Sequence, residues 1–252
     1  APNIVRCLDG LRWADRVVVV DSHSSDETIA LCEGYENVET IARTFDDHTA
    51  QWNFGIAQCQ TPWVLSLDAD YVLSDGFEKE LETLAEDGDM AAYSCRFLYC
   101  IYGRPLRGTL YPPRLAVFRK DRCRYVQDGH TQDLKVDGRT GVIDTSILHD
   151  DRKAMTRWCR NQIDYARLEA DKLSSKAIDG NLGRNDRLRA MGWLAPFLIL
   201  PYCLFVRRGI FDGWQGWFYA LQRLIAEVML ALFVVERKIS KSCPEVRSLK
   251  SQ

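Results

Sequence analysis

The chain has 252 residues, 46% of them apolar, which supports one full core and a smaller appendage. Its net charge of −2 offers no bulk attraction to nucleic acid, so no nucleic-acid partner is expected. That average conceals a split: residues 1–150 carry about 15 basic and 25 acidic side chains, residues 151–252 about 18 and 10. The reading is an acidic domain over 1–150 and a basic, aromatic-rich helical extension over 151–252, suited to an anionic surface. Nine cysteines at irregular spacing argue against a disulfide framework and for a reducing compartment. Cys95 and Cys100 lack a second Cys or His pair at zinc-binding spacing and read as buried thiols.

In chain order, Ile4, Val5, Leu8 and Leu11 fall on one helical face, and the opening carries no charged-then-apolar leader. Val17 to Val20 is a β-branched run apolar on both faces, which predicts a strand inside a parallel sheet. The turn from Asp21 to Asp26 is rich in capping residues and opens a helix over Thr28 to Tyr35. A short strand near Val38 and Thr40 and a helix from Thr49 to Cys59 follow, broken at Thr61-Pro62. Trp63 to Leu67 reads as another buried strand, ending at Asp68-Ala69-Asp70, with a helix over Phe77 to Leu84. This alternation predicts an α/β domain with a mostly parallel sheet.

From Ala91 to His149 the pattern changes to strands at Ala92–Tyr99, Arg114–Phe118, Leu134–Val136 and Val142–Leu148, which could add antiparallel pairing. A helix over Lys153 to Leu173 comes next. Trp193 to Val206 is apolar but about fourteen residues long and interrupted by prolines, short of the roughly twenty that a span needs. Trp214 to Val235 is long enough, yet Gln222, Arg223 and Glu227 interrupt its middle. Flanking Arg207, Arg208, Arg237, Lys238 and Lys241, with Trp193, Trp214, Trp217 and Tyr219, suit helices lying in the headgroup region. A helical subdomain or dimer interface with an apolar face is the alternative.

Two places carry chemistry. At the end of the Trp63 strand, Asp68 and Asp70 stand where open sheets bind ligands, and paired carboxylates in a tight turn can hold a hard divalent cation against a diphosphate. At the end of the Val17 strand, Asp21 is placed to accept hydrogen bonds from a ribose or base edge, and Ser22, Ser24, Ser25 and Asp26 crowd a helix N-terminus.

The paired motifs Val18-Val19-Val20-Asp21-Ser22-x-Ser24-x-Asp26-x-Thr28 and Trp63-Val64-Leu65-x-Leu67-Asp68-Ala69-Asp70 resemble the family-2 glycosyltransferases, within them the bacterial lipopolysaccharide core-type sugar transferases. The similarity covers roughly residues 1–170. It implies a GT-A fold (Rossmann-like, nucleotide-diphospho-sugar transferase), a nucleotide-diphosphate sugar donor with UDP favoured, Mn²⁺ or Mg²⁺, and inverting transfer. On the matching positions, Asp21 and Ser22 bind the nucleoside, and Gln51 and Asn53 form the polar pair before the metal motif. Asp68 and Asp70 flank metal and diphosphate, Asp70 being the direct ligand. His149 matches a family histidine and is either a further metal ligand, which favours Mn²⁺, or a structural strand-end residue.

Relatives commonly carry His-Glu shortly before Val-Asp-Gly. Here Val136-Asp137-Gly138 is kept, but Thr131-Gln132 takes the acidic position, and Gln cannot act as a base. Asp128 is the expected catalytic base, His130 the next candidate, with Asp133 nearby. His23 and Tyr71 also depart from the Gly and Glu of relatives. The family's first strand, ending in Asn-Glu, would precede Ala1: either the sequence is a piece of a longer one or another segment fills that place.

The resulting expectation is an inverting transferase, peripheral on the cytoplasmic side of the inner (plasma) membrane, acting on a lipid-linked or cell-envelope glycan acceptor. Two alternatives stand beside it. One is a non-catalytic, membrane-peripheral scaffold, which Gln132 favours; the other is a nucleotidyltransferase, against which the lack of a Gly-rich phosphate loop speaks.

Overall fold

The computed structural model describes residues 2–84, 89–128 and 131–242. The chain divides into two units, residues 1–105 with 110–152, and residues 106–109 with 153–252. The division falls two residues beyond the expected boundary at 150, and it assigns a short internal loop to the helical part.

The first unit opens with α1 (Pro2–Asp9), β1 (Val17–Asp21), α2 (Thr28–Cys32) and β2 (Val38–Ala42). Ile4 and Leu8 of α1 bury against Cys32, Val17 and Val19, so the helical stripe read from the sequence covers one face of β1. β1 and β2 pair in parallel, Val17 opposite Val38, as a two-stranded sheet. Next come α3 (His48–Gln58), β3 (Trp63–Leu65), β4 (Tyr71–Leu73), α4 (Phe77–Leu84), β5 (Met90–Ile101), β6 (Arg104–Pro105) and β7 (Arg114–Arg119). The unit closes with β8 (Cys123–Asp128), β9 (Thr131–Val136) and β10 (Arg139–His149).

The larger sheet runs β3-β7-β5-β10-β4, with β6 folded back on β5. Alternation along β5 makes it the spine of two core layers. Ala92 faces Ile56 of α3, Val64, Phe118 and the β8–β9 hairpin, whereas Tyr93, Cys95 and Phe97 face Phe77 of α4, Ile143 and Ile147.

The expected α/β alternation is present, but the mostly parallel sheet is corrected. Among the described residues only β1/β2 and β5/β10 pair in parallel, and every other pairing is antiparallel. The reason is local. β4 doubles back immediately after the Asp68–Asp70 corner, and the stretch after α4 is built from hairpins, which return a strand antiparallel. The tightest return, at Tyr102 and Gly103 with φ of 50° and 82°, has both central residues left-handed, as a two-residue hairpin loop requires.

The second unit holds α5 (Met155–Ile178), α6 (Arg184–Ala190), α7 (Leu194–Pro201) and α8 (Trp214–Ser242). Pro201 does not stop the chain: α7 passes into one wide π-helical turn, Tyr202–Val206. Ala166, Ala170 and Leu173 of α5 pack on Leu230 and Val234 of α8. The polar residues that interrupt the α8 pattern turn inward. Buried Glu227 pairs with Arg189 of α6 at 3.0 Å and with Arg223 at 3.7 Å, and Gln222 is buried beside Met155. By length and composition alone, Trp214–Ser240 is apolar enough to cross a membrane, so the charges read as interruptions do not shorten the helix.

Residues 106–109 join this unit because Leu106 and Thr109 are buried and the Arg107 amide donates to Asp212 at 3.0 Å. Gly108 is required there, since a Cβ would sit 1.6 Å from the Arg207 carbonyl oxygen.

Eight described cysteines are free thiols. Burial pushes Cys95 and Cys100 up to about 12, so these remain protonated and unreactive, as read, and Cys123, pushed up to about 11, joins them.

Phe118 is fully buried between α3 and the β8–β9 hairpin. Phe118→Ala should therefore cost about 3–5 kcal/mol of unfolding free energy in a denaturant titration; a loss under about 1 kcal/mol would contradict this core.

Candidate active site

The first unit presents two polar constellations at strand ends. At the first, Asp21 closes β1 with only 6% of its surface exposed, and Oδ2 accepts the Ser24 amide at 2.9 Å. It lines an open cleft of about 560 Å³ with His23, Ser24, Glu33 and Thr40 among the walls. Gln51 of α3 organises the rim: its amide donates to Ser22 Oγ at 3.0 Å, while its carbonyl oxygen accepts from Arg43 at 2.9 Å. Asp21, Ser22 and Gln51 are thus brought together. Asn53 is not part of this group, because its side chain donates to the Tyr125 carbonyl and accepts the Tyr125 amide, both at 3.0 Å. It staples α3 to β8.

The second constellation lies where β3 ends and β10 ends. Asp70, His149 and Asp151 each offer a ligand atom, all within 4.8 Å of one another, and His149 Nε2 is 3.4 Å from Asp70 Oδ2. Tyrosines hold the imidazole on three sides: the rings of Tyr71, Tyr99 and Tyr111 meet it edge-on at 5.0, 4.9 and 5.0 Å. The Tyr71 and Tyr111 hydroxyls share a hydrogen bond of 2.6 Å. Among the described residues nothing hydrogen-bonds buried His149 Nδ1.

Two carboxylates this close repel by about 3 kcal/mol at an effective dielectric near 20, before solvent screening. A divalent cation removes the conflict. Oxygen and imidazole donors together suit Mn²⁺ or a similar ion better than Mg²⁺, so the residues fit the metal that the resemblance implies.

Asp68 stands outside the converging three. Its carboxyl keeps an exposed face, yet the surrounding protein and then the charge of Asp70 hold it above the usual carboxylate range. Arg114, at the start of β7, partly offsets this and lies 4.9 Å over the Tyr111 ring. Sequence reasoning passed over both Asp151 and Arg114. Only the spacing of two from His149 to Asp151, which keeps both on one side of an extended chain, could have flagged the former.

Asp150 sits between His149 and Asp151 and is itself buried, 5% exposed. Its carboxylate takes Arg6 of α1, Arg152 and the Gly103 amide, and its own amide donates to the Asp70 carbonyl at 3.0 Å. One residue therefore ties α1, the β5–β6 hairpin, β10 and the Asp70 corner together.

Asp128 ends β8, its backbone opposite Thr131. Its side chain, with residues 129–130 and so His130, lies outside the described residues. The strand it ends is anchored near the Asp68 corner, where the Tyr125 hydroxyl meets Ser66 Oγ at 2.9 Å. Gln132 is opposite Gln127, whose side chain accepts from Thr49 of α3 at 2.9 Å.

Residues 1–142 match the family Glycosyl transferase family 2. The chain belongs to that family. This glycosyltransferase is 25% identical, over 96% of its own length and 90% of the relative's, to the lipopolysaccharide core biosynthesis glycosyltransferase LpsC of Rhizobium meliloti (strain 1021). A shorter match, 35% identical over 81 residues, covers 32% of the chain and 28% of an uncharacterized glycosyltransferase of Rickettsia conorii (strain ATCC VR-613 / Malish 7). Its fold is similar to that of the mannosyltransferase PcManGT from Pyrobaculum calidifontis, solved with GDP-Man and Mn²⁺: TM-score 0.52, 16% identity, 92% of this chain and 84% of that one. The GT-A expectation holds, and the scaffold and nucleotidyltransferase readings are set aside.

For the transferase, removing one partner of the buried Asp150 cluster strands the others. Asp150→Ala should lower stability by about 3 kcal/mol and Mn²⁺ affinity about 10–100-fold by calorimetry; unchanged affinity in a folded variant would dissociate the cluster from the metal group. Asp68 gives a pH test. A carboxyl raised above its unfolded value of 3.8 favours the metal-free fold in acid, and that contribution is lost as pH climbs through the raised value. A cation favours the ionised form, so Mn²⁺ should raise the melting temperature more at about pH 7.5 than at about pH 5. Equal increments would contradict it.

Proposed function

We propose that this glycosyltransferase moves a sugar, with inversion, from a nucleotide-diphosphate donor to a lipid-linked or cell-envelope glycan acceptor. The work would take place at the cytoplasmic face of the inner membrane. The observation that carries the reading is the convergence of Asp70, His149 and Asp151 at the strand ends of a GT-A unit. The similarity to LpsC over nearly the full length supports a lipopolysaccharide-type acceptor, and the basic, apolar helical unit supports work at a membrane.

Asp70, His149 and Asp151 would hold the metal, Mn²⁺ or Mg²⁺, which when bound neutralises diphosphate charge as the leaving group departs. Asp21 and Ser22 would accept and donate hydrogen bonds to the nucleoside, with Gln51 fixing Ser22. Arg114, which partly offsets the raised carboxyl of Asp68, would face the diphosphate. Asp128 would take the acceptor hydroxyl's proton as the sugar bond forms, His130 being the other candidate. A donor of the UDP type is favoured by the resemblance, while PcManGT was solved with GDP-Man.

Incubating the chain with a panel of nucleotide sugars and Mn²⁺ tests the whole reading, with the anomeric form of the product read by NMR. Asp70→Asn should reduce transfer about 100-fold or more. Asp21→Ala should instead raise the donor KM about 10-fold with less effect on kcat, because it removes a binding hydrogen bond. Transfer by Asp70→Asn at the parent rate would refute the assignment.

A further inference from the structure

We propose that the α7–α8 face docks, half-embedded and in the plane of the surface, on a bilayer bearing anionic headgroups, and that α8 does not cross it. The inference rests on the membrane reading above and adds which residues form the docking face and why α8 lies in the plane instead of crossing.

Along α8, Trp217, Leu221, Ile225, Val228, Leu232 and Val235 are all at least 36% exposed, at spacings of 4, 4, 3, 4 and 3. That rhythm confines them to one narrow stripe, which with Trp214 and Ile239 at its ends is about 37 Å long. Phe197 of α7, Phe205 of the turn after it and Phe211 just before α8 are each at least 64% exposed and add apolar surface to this unit. An exposed apolar stripe of this length has no reason to face water.

The opposite side of α8 shows why the helix lies flat. Glu227 is held by Arg189 of α6 and Arg237 by Asp171 of α5, so polar helices cover the inner face near its middle and near its end. Arg157, Arg160 and Asp164 of α5 and Arg184 and Arg187 of α6 are exposed. A crossing would drag those charges into hydrocarbon, whereas an in-plane seat leaves them in water.

Charge selects the bilayer over a second copy of the chain. Exposed Arg207 and Arg208 stand at the turn end of the stripe, while at the other end exposed Lys238 balances Glu236 and Arg237 is held inward by Asp171. Residues 151–252 carry about 18 basic and 10 acidic side chains, so packing this unit on a second copy sets net basic against net basic. Anionic headgroups would neutralise that excess, with exposed Trp193 and Trp214 suited to headgroup depth.

The test uses the full chain and vesicles of phosphatidylcholine with or without about 30% phosphatidylglycerol. Partition should be at least about 10-fold stronger onto the anionic vesicles, and Arg208→Glu with Lys238→Glu should remove that preference. Leu221→Glu with Leu232→Glu should weaken partition about 10-fold or more while leaving the circular dichroism spectrum and donor hydrolysis unchanged. Depth-dependent quenching by brominated lipids of Leu221→Trp, Val228→Trp and Val235→Trp, each read against the parent, should place all three at one shallow level. A Val228→Trp signal deeper than both others by about 10 Å would mean a crossing helix and overturn the proposal while leaving membrane association standing. No partition by the parent protein would overturn the membrane reading itself. A parent dimer dissociated by Leu221→Glu with Leu232→Glu, with vesicle binding intact, would assign the face to self-association and overturn the proposal.

Discussion

The clamp on Asp150 is the constraint from which the site follows. A carboxylate removed from water must find positive charge and donors, and Asp150 finds two guanidiniums and a backbone amide drawn from three separate parts of the first unit. Once that residue is pinned, its chain neighbours have little freedom. His149 and Asp151 emerge on either side of it, and the amide between them reaches the Asp70 carbonyl. The group competent for a cation is thus assembled by a residue that does not belong to it.

The electrostatics of that corner run against the metal-free fold. Asp68, Asp70 and Asp151 concentrate negative charge at one corner of the first unit, and Asp68, partly desolvated by the surrounding protein and facing the charge of Asp70, holds its proton more tightly. Aromatic rings on three sides of His149 exclude competing partners and keep the imidazole edge toward Asp70. Such a corner is poised for a cationic guest, and the open cleft at Asp21 would supply the second anchor that the proposed nucleotide-sugar donor needs.

Much of the first unit was legible because its signals are local. Four consecutive valines ending in Asp21, and Trp63 to Leu67 ending in Asp68-Ala69-Asp70, mark strands and ligand ends by period and termination alone. The α1 stripe and the helices around Thr49, Phe77 and Lys153 were readable for the same reason. What stayed hidden depends on distance in sequence. β8 carries no clear alternation, and its place follows from Asn53 and Tyr125 meeting across 72 residues. Asp151 looked like one more acid in a polar turn, since only the fold brings it to Asp70. Asn53, grouped with Gln51 by resemblance, instead spends both ends of its amide on β8. The inward charges of α8 read as breaks because partners on another helix cannot be seen from a single periodic segment.

The loop at 106–109 has a consequence for how this transferase can be dissected. Because four residues in the middle of the chain are housed among the helices, the polypeptide passes between the two units three times, at 105/106, 109/110 and 152/153. The helical part is therefore not a detachable tail. Cutting it away would leave Leu106 and Thr109 without their socket and the Arg107 amide without Asp212, a wound in the middle of the remaining fragment. Moving such an extension onto another catalytic domain would require transplanting the loop as well.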